Sequence, residues 1–553
     1  MADAPKPVPS FFRAAGTISA AISLSRFAGM VREVVMARLF GAGEIYDAFL
    51  LGMRIPNLAR NLFAEGALSS AFVPVFSQYL AARGRKAAAG LSSAAVTALA
   101  LAVTAVCVAG MVFSPQLVDL LAPGFAAVPG KRELAILLTR IMFPFLALVA
   151  LAAQAMGVLN ACNRFGIPAL ASTFFNLGSV AFGVGLGFTV GRGTPRGLII
   201  CMACGVVLGG VLQLVWQFPS LRREGFLSRP RWDFGHPGLR QIARLMLPAL
   251  VGNAALQINV MVNTNLASSI TGPTGQVMNG PVSWLNYAFR FMQLPLGLFG
   301  AAIASAMLPD VSRAAAAGRM QEFRSMLKRA LGLMLLVTIP SSAGLVVLGE
   351  SMIGAIYQGG HFQAYDTHQT AVALAWYSIG LAGYSATKIL APVFYALDDG
   401  RTPMLVSGAS VALNLVLALA LVKGGGMGHA GLALSTSLAA LASGAMLFAL
   451  LSARIPAIGG PALGWSALKI GAAAAAMALM CHVSSAWIRG ALGAGRTACL
   501  ADVAVSIPLG AAVFYAAARA LAVPELEPVS AACYTALRNA LRPEVGDSSA
   551  GDR

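Results

Sequence analysis

Charged side chains between residues 26 and 65 could bind an ion or a polar ligand, because they interrupt apolar runs long enough to cross a bilayer. An ionised group left in hydrocarbon costs at least about 2.5–3.5 kcal/mol. We therefore expect these side chains to face a bundle interior or a wet cavity. At 100° per residue, Arg26 and Glu33 fall on one helix face, and so do Asp47 and Arg54. The set comprises Arg26, Arg32, Glu33, Arg38, Asp47, Arg54, Arg60 and Glu65.

Two interpretations of these charges stay open: internal salt bridges that lock helices together, or a polar cavity. The excess of arginine favours the cavity. Arg290 adds another guanidinium well inside a later apolar run, where the alternative is snorkelling to an interface. Lys388 is a further intramembrane charge that either bridges to a partner or lines the cavity. Because arginine donates bidentately and stays protonated, a surplus of it favours an anionic substrate such as a phosphorylated head group.

The composition predicts the elements that position these residues. The chain has 553 residues, of which 58% are hydrophobic and 11% charged, and its apolar runs repeat along the whole length. This pattern is typical of an all-α, polytopic membrane protein, with about fourteen candidate spans. The net charge of +18 does not indicate nucleic-acid binding, because the basic residues lie between hydrophobic runs and are not clustered with aromatic residues.

Basic residues alternate between loops and predict the orientation. Summed by side, lysine and arginine number about 22 on the side of the N-terminus and about 7 on the other. The poorly basic loops include 269–281 and 350–368. By the positive-inside rule both termini are predicted to be cytoplasmic, in a multi-pass protein of the cytoplasmic membrane.

An internal repeat appears at an offset of 235 residues. Ser70-Ala71-x-x-Pro74-x-x-Ser77 recurs as Ser305-Ala306-x-x-Pro309-x-x-Ser312. The offset places six spans in each half, which makes the halves parallel repeats, and substrate sites in such transporters lie between the halves. The predicted domains are an N-terminal lobe (1–221), a C-terminal lobe (222–454), a hairpin of spans thirteen and fourteen (455–525) and a cytoplasmic tail (526–553).

Motifs for catalysis or cofactor binding are weak. Cys201 and Cys204 have CxxC spacing, but they lie inside an apolar run with no second pair, so core cysteines are the better interpretation. No HExxH or Walker motif occurs in the sequence, so we expect no metal, no cofactor and no ATP hydrolysis. Asp398 and Asp399 form the only adjacent acidic pair, and they are better explained as a loop and helix start than as an enzyme's prenyl-phosphate site.

Several segments carry a family resemblance: SRFAGMVREVVMARLFGAG, YDAF, PNLARNLFAEGALSSAFVPVFSQY and NRFGIPAL. They closely resemble the MurJ (MviN) family of lipid II flippases, within the multidrug and oligosaccharidyl-lipid/polysaccharide exporter superfamily. The resemblance implies two six-helix lobes around a central cationic cavity, a C-terminal groove for the undecaprenyl tail, and a bacterial inner-membrane location. It implies a role in peptidoglycan biosynthesis and cell shape, with lipid II, membrane lipid and other cell-wall synthesis proteins as partners. The alternative is an exporter of another polyprenyl-linked saccharide, or a drug/ion antiporter.

The resemblance also implies which residues bind substrate. Departures from the family pattern are Phe289 and Gln293, which replace acidic residues near Arg290, and Ser172, which replaces a proline. The loss of acidic groups makes an ion-coupling role at those two positions doubtful. The implied substrate-binding residues are Arg26, Arg32, Asp47, Arg54, Arg60, Ser283 and Arg290, with Glu33, Glu65 and Lys388 as supporting cavity charges.

Overall fold

The computed structural model describes residues 9–61, 69–191, 193–227, 230–297, 301–455, 458, 461–493 and 495–527. The described residues are helices joined by turns and loops, with two isolated β-bridges in place of any strand. The all-α prediction is therefore confirmed. Glu65 and most of the predicted tail lie outside the described residues.

Nineteen α-helices succeed one another along the described chain. The first nine are α1 (Pro9–Phe40), α2 (Glu44–Arg60), α3 (Ser69–Val112), α4 (Ser114–Leu121), α5 (Lys131–Met142), α6 (Pro144–Ala161), α7 (Gly166–Thr189), α8 (Pro195–Val215) and α9 (Phe218–Arg223). The others are α10 (Pro237–Ser268), α11 (Pro281–Pro295), α12 (Ala301–Ala316), α13 (Met320–Tyr357), α14 (Ala364–Ile379), α15 (Leu381–Ala396), α16 (Arg401–Leu419), α17 (Gly428–Arg454), α18 (Pro461–Leu492) and α19 (Arg496–Ala520).

Nine helical segments of the described chain are long and apolar enough to cross a membrane. The predicted number of fourteen spans stays a prediction. The apolar segment Lys131–Ala161 is divided between α5 and α6, because Pro144 cannot donate the backbone hydrogen bond that would continue α5. Pro144 instead occupies the first turn of α6, where its missing N–H has no cost.

The internal repeat is visible in the backbone. Helix α2 ends at Arg60 and α11 ends at Pro295, 235 residues later. Helices α7 and α16 likewise begin at Gly166 and Arg401. Just before these two starts, Asn163 and Asp398 adopt left-handed conformations with φ of 60° and 58°. Two non-glycine residues in this rarely populated region, at the same offset, indicate that the two halves share one backbone pattern.

The described chain forms two compact units. Unit 1 consists of Met1–Tyr287, Ile356–Ala373 and Val411–Ser435, and unit 2 of Ala288–Ala355, Leu374–Ser410 and Thr436–Arg553. In unit 1 a hydrophobic core forms around Phe72 and Phe76 of α3, which are no more than 1% exposed. In unit 2 the main core forms around Phe323, Leu390 and Phe394. The domain boundaries predicted at 221/222 and 454/455 stay predictions.

Glycine permits close helix packing in unit 1, between α7 and α8. A Cβ atom on Gly205 would lie 2.4 Å from the carbonyl oxygen of Ser179 and 2.6 Å from Cα of Gly183. Both neighbours are backbone and cannot yield without moving a helix. Small residues that let two backbones approach are the usual means of holding helices together in a membrane, where the hydrophobic effect between helices is absent.

Candidate functional site

Asp47 lies at the centre of a buried polar cluster in unit 1. Its side chain is in the first turn of α2 and is fully buried. Oδ2 accepts hydrogen bonds from Lys131 Nζ and from the backbone N–H of Gly280, both at 2.8 Å. Oδ1 accepts from Ser283 Oγ at 2.5 Å and from the backbone N–H of Ser283 at 3.0 Å. The carboxylate thus caps the N-terminus of α11 and is ion-paired at the same time.

Lys131 is the ionic partner of Asp47, and sequence reasoning missed it. It is the first residue of α5 and is 2% exposed. Besides Asp47, Nζ donates to Asn279 Oδ1 at 2.9 Å and lies 4.2 Å from the centre of the Phe125 ring. The signal in the sequence was a lysine separated from an apolar run by Arg132 and Glu133, a position that normally faces water. We call Asp47, Lys131, Asn279, Gly280 and Ser283 the Asp47 cluster.

The Asp47 cluster joins segments from both halves of the repeat. Asp47 and Lys131 belong to the predicted first half, whereas Asn279, Gly280 and Ser283 belong to the second. A second link between the halves involves Arg38, nine residues before Asp47. The backbone N–H of His361 donates to the carbonyl oxygen of Arg38 at 3.0 Å. On the second-half side, the Asp47 cluster draws its residues from the poorly basic loop 269–281 and from Ser283 just after it. His361 lies in the other poorly basic loop, 350–368.

Trp284 extends this contact region within unit 1. The indole ring is 1% exposed, and its Nε1 donates to Asp366 Oδ1 at 3.0 Å. The His429 ring lies 5.1 Å from the Trp284 ring, centre to centre. Burial raises the pKa of the Asp366 carboxyl group above its ordinary value, against the opposing effect of the hydrogen bond from Trp284. The start of α14 and the start of α17 are therefore held against α11.

Glu33 is the second buried carboxylate of the predicted set. It is 4% exposed and accepts hydrogen bonds from Arg32 at 2.9 Å and from the Tyr46 hydroxyl at 3.0 Å. The Arg32 guanidinium also lies 5.6 Å from the centre of the Phe175 ring. Arg26, predicted on the same helix face as Glu33, is exposed. The structure therefore gives Glu33 an arginine neighbour that helical periodicity did not indicate.

The remaining predicted cations keep more of their surface accessible. Arg54 and Arg60 on α2 are half-buried: Arg54 donates to Thr264 Oγ1 at 2.6 Å, and Arg60 donates to Asn61 Oδ1 at 3.2 Å. Arg290 on α11 and Lys388 on α15 are exposed and belong to unit 2. That guanidinium groups from both halves line one pocket stays a prediction, as do the substrate-binding roles of all these residues.

Within the described residues, no group of three or more histidine, cysteine or acidic side chains could hold a metal ion. Cys201 and Cys204 both lie in α8 as free thiols, the first buried and the second half-buried.

Comparisons with known proteins give one consistent result. The family model for lipid II flippase MurJ matches residues 36–494. The lipid II flippase MurJ of Burkholderia cenocepacia is 34% identical over 474 residues, which cover 85% of this chain and 89% of that protein. A probable lipid II flippase MurJ of Vibrio cholerae is 34% identical over 438 residues, covering 78% of this chain and 81% of that protein.

Solved structures agree in fold. A lipid II flippase MurJ in an inward closed conformation superposes with a TM-score of 0.74 at 25% identity, covering 91% of this chain and 99% of that one. An inward-facing multidrug resistance transporter of the MATE family, in the MOP superfamily, has a TM-score of 0.62 at 15% identity, covering 79% and 95%. The second likeness concerns the fold alone. Family model, relatives and structure together place this chain in the lipid II flippase MurJ family.

Proposed function

We propose that this multi-pass bacterial inner-membrane protein moves lipid II from the cytoplasmic to the periplasmic leaflet. Family membership supports this function, and it makes the chain a transporter. The head group of lipid II carries a pyrophosphate and sugars, and it cannot cross about 30 Å of hydrocarbon unaided at a useful rate. The protein supplies a polar route, and no covalent step is needed.

The arginines of the predicted set bind the pyrophosphate in this proposal. Two helices that are consecutive in sequence and belong to the same unit, α1 and α2, carry Arg26, Arg32, Arg54 and Arg60. Glu33 is ion-paired with Arg32 at 2.9 Å and so neutralises part of the charge on that guanidinium group. Guanidinium groups match phosphate oxygens with two parallel hydrogen bonds, so they suit a diphosphate better than lysine would. Arg290 contributes from the second half.

In this proposal the Asp47 cluster acts as a latch, which holds one side of the protein closed during transport. The observation that carries the proposal is that one fully buried carboxylate accepts four hydrogen bonds, three from Gly280 and Ser283 at the start of α11 and one from Lys131 of α5. With both termini cytoplasmic, the poorly basic loops and the latch lie on the periplasmic side. Release of the head group to that side requires the latch to open, and alternating access follows if substrate binds the open arrangement better than the closed one.

A direct transport measurement tests the function. The purified protein is reconstituted in vesicles with lipid II labelled on its head group, and the fraction accessible at the opposite face is followed over time. We expect protein-dependent transfer, and growth of a strain depleted of its own lipid II flippase when this chain is expressed. Transfer of a different polyprenyl-linked saccharide, or of a drug, without transfer of lipid II would overturn the proposal in favour of the exporter alternative.

A further inference from the structure

A cavity of about 140 Å³ lies in unit 1, and its lining includes none of the predicted arginines and no residue of the Asp47 cluster. It is lined by α3, α6, α8, α9 and the segment that follows α9. Nearly all of the wall is aliphatic or aromatic, with Leu151, Val158, Phe218 and Phe226 as typical members. Ser92 and Gln154 are its polar lining residues.

Gln154 is the unusual member of the wall. It lies in the middle of α6 and is 1% exposed, yet neither Nε2 nor Oε1 has a hydrogen-bond partner. Gln217, equally buried nearby, donates from its Nε2 to the carbonyl oxygens of Ala152 and Gln213. A buried amide with neither of its groups bonded is costly, and buried side-chain amides are bonded in the large majority of cases. The cavity beside Gln154 is where a partner for both groups can sit.

The shape and polarity of the cavity define that partner. An apolar cavity of about this volume stays dry and accommodates one benzene ring. Water filling the space would satisfy Gln154 but face aliphatic walls on its other sides. A lipid acyl chain would suit the walls but has no donor for Oε1. We propose that this cavity binds a small aromatic alcohol of phenol size, whose hydroxyl donates to Gln154 Oε1 and accepts from Nε2 while the ring fills the apolar space.

The position of the cavity gives such a ligand a means of acting on the protein. Phe226 and Leu227 of its wall belong to the connection between the two halves of the repeat. Phe226 is 3% exposed and packs edge-on against Phe76 at 5.3 Å. Two residues earlier, Glu224 is ion-paired with Arg164 at 2.9 Å and Arg85 at 3.3 Å. A bound ring therefore adds contacts between α6 and this connection and stabilises its docked position.

Two fluorinated probes and two variants of the full-length protein in detergent test the site. Fluorine NMR line broadening is measured for 4-fluorophenol and fluorobenzene, with Gln154→Leu removing the amide and Val158→Phe filling the space. We expect saturable broadening with both probes that is absent in Val158→Phe. Gln154→Leu should weaken 4-fluorophenol about fivefold, the worth of about one hydrogen bond, and leave fluorobenzene unchanged or tighter.

Two results would overturn the proposal. Equal broadening in the native protein and Val158→Phe would show partition into detergent only, and ordered water alone in the cavity of a high-resolution map would exclude the organic ligand. If Val158→Phe does not fold, the ratio of the affinities for 4-fluorophenol and fluorobenzene, compared between the native protein and Gln154→Leu, still tests the role of Gln154. An unchanged ratio in Gln154→Leu would remove Gln154 from the site.

Discussion

Asp47 and Lys131 form an ion pair at 2.8 Å in which both side chains are 1% exposed. The pair joins α2 to α5, and the same carboxylate holds the first residues of α11. Two charges at this depth are stable only because each is also hydrogen-bonded by other groups. Lys131 has Asn279 and the Phe125 ring, and Asp47 has Gly280 and Ser283. The pair is therefore a sensitive point for stability and for the proposed latch.

Breaking one side of this pair should destabilise the protein strongly. Lys131→Met leaves the Asp47 carboxylate buried without its cation, which costs about 3–5 kcal/mol. The loss is measured as a lower unfolding free energy in detergent. The double variant Asp47→Asn with Lys131→Met should recover most of the stability, because no lone charge remains.

A neighbouring pair supplies the control. Arg132, next in sequence, is ion-paired with Asp119 in an exposed position. Arg132→Gln should change stability little, because exposed ion pairs contribute little. If Lys131→Met were as mild as Arg132→Gln, the buried pair would not have the energetic weight assigned to it.

The proposed binding of the head group by arginines leads to a second prediction. Arg26→Ala, Arg60→Ala and Arg290→Ala should each abolish lipid II transfer while leaving folded protein in the membrane. Lysine at the same positions should restore activity only partly, because a single ammonium group cannot reproduce the bidentate contact with phosphate. Transfer is measured in vesicles and related to the amount of protein inserted.

Arg313 is a suitable matched control for these variants. It is exposed at the end of α12 and is ion-paired with Asp310 on the same helix. Arg313→Ala should leave transfer unchanged. Normal growth on Arg290→Ala as the sole copy would contradict the placement of Arg290 in the head-group site.

A third prediction concerns the C-terminal hairpin of α18 and α19. Asp502 on α19 is fully buried and accepts hydrogen bonds, each of 2.5 Å, from Ser351 on α13, Ser485 on α18 and Ser506 on α19. Asp502→Ala should cost about 2–3 kcal/mol of unfolding free energy, since hydrogen bonds to a charged group contribute about 1.5–3 kcal/mol each and the serines can partly re-bond to backbone carbonyls.

The asparagine variant separates charge from shape at this position. Asp502→Asn keeps one acceptor oxygen and nearly the same volume, so it should cost less than Asp502→Ala. Thermal unfolding of both variants in the same detergent gives the comparison. Equal losses for Asn and Ala would show that the carboxylate charge itself carries the contact between the hairpin and α13.

Asp399 leads to a pH-dependent prediction. Its carboxylate accepts the backbone N–H groups of Arg401 and Thr402, each at 3.0 Å, and the Thr402 hydroxyl at 2.6 Å. The Thr402 hydrogen bonds, with a smaller effect of Arg454, lower the pKa of Asp399 from 3.8 to about 2. Because the folded pKa is depressed, the stabilisation is complete above pH 3.8 and is lost as the pH falls through about 2.

The uncharged variant measures this effect. Asp399→Asn still offers one acceptor to the start of α16 but cannot titrate. Its melting temperature should lie below that of the native protein at pH 7, and the gap should close between pH 3.8 and pH 2. A gap that stays constant across that range would mean that the charge of Asp399 contributes nothing.

Local sequence signals predicted much of this protein. Apolar runs predicted an all-helical membrane protein, because a membrane-spanning segment must satisfy its backbone within itself. The motifs of the first eighty residues identified the family. The interpretation of Asp398 and Asp399 as a helix start is confirmed, since Asp399 binds the first backbone N–H groups of α16. Helix capping depends on residues two or three apart, which the sequence shows directly.

Partner choice among the buried charges was decided by the tertiary structure alone. Periodicity placed Asp47 on one face with Arg54, but the carboxylate binds Lys131, 84 residues away, and Ser283, 236 residues away. Helical spacing tells only which side chains share a face of one helix. Which helices lie against that face depends on packing over the whole chain, so only the folded structure could show that Asp47 joins the two halves of the repeat.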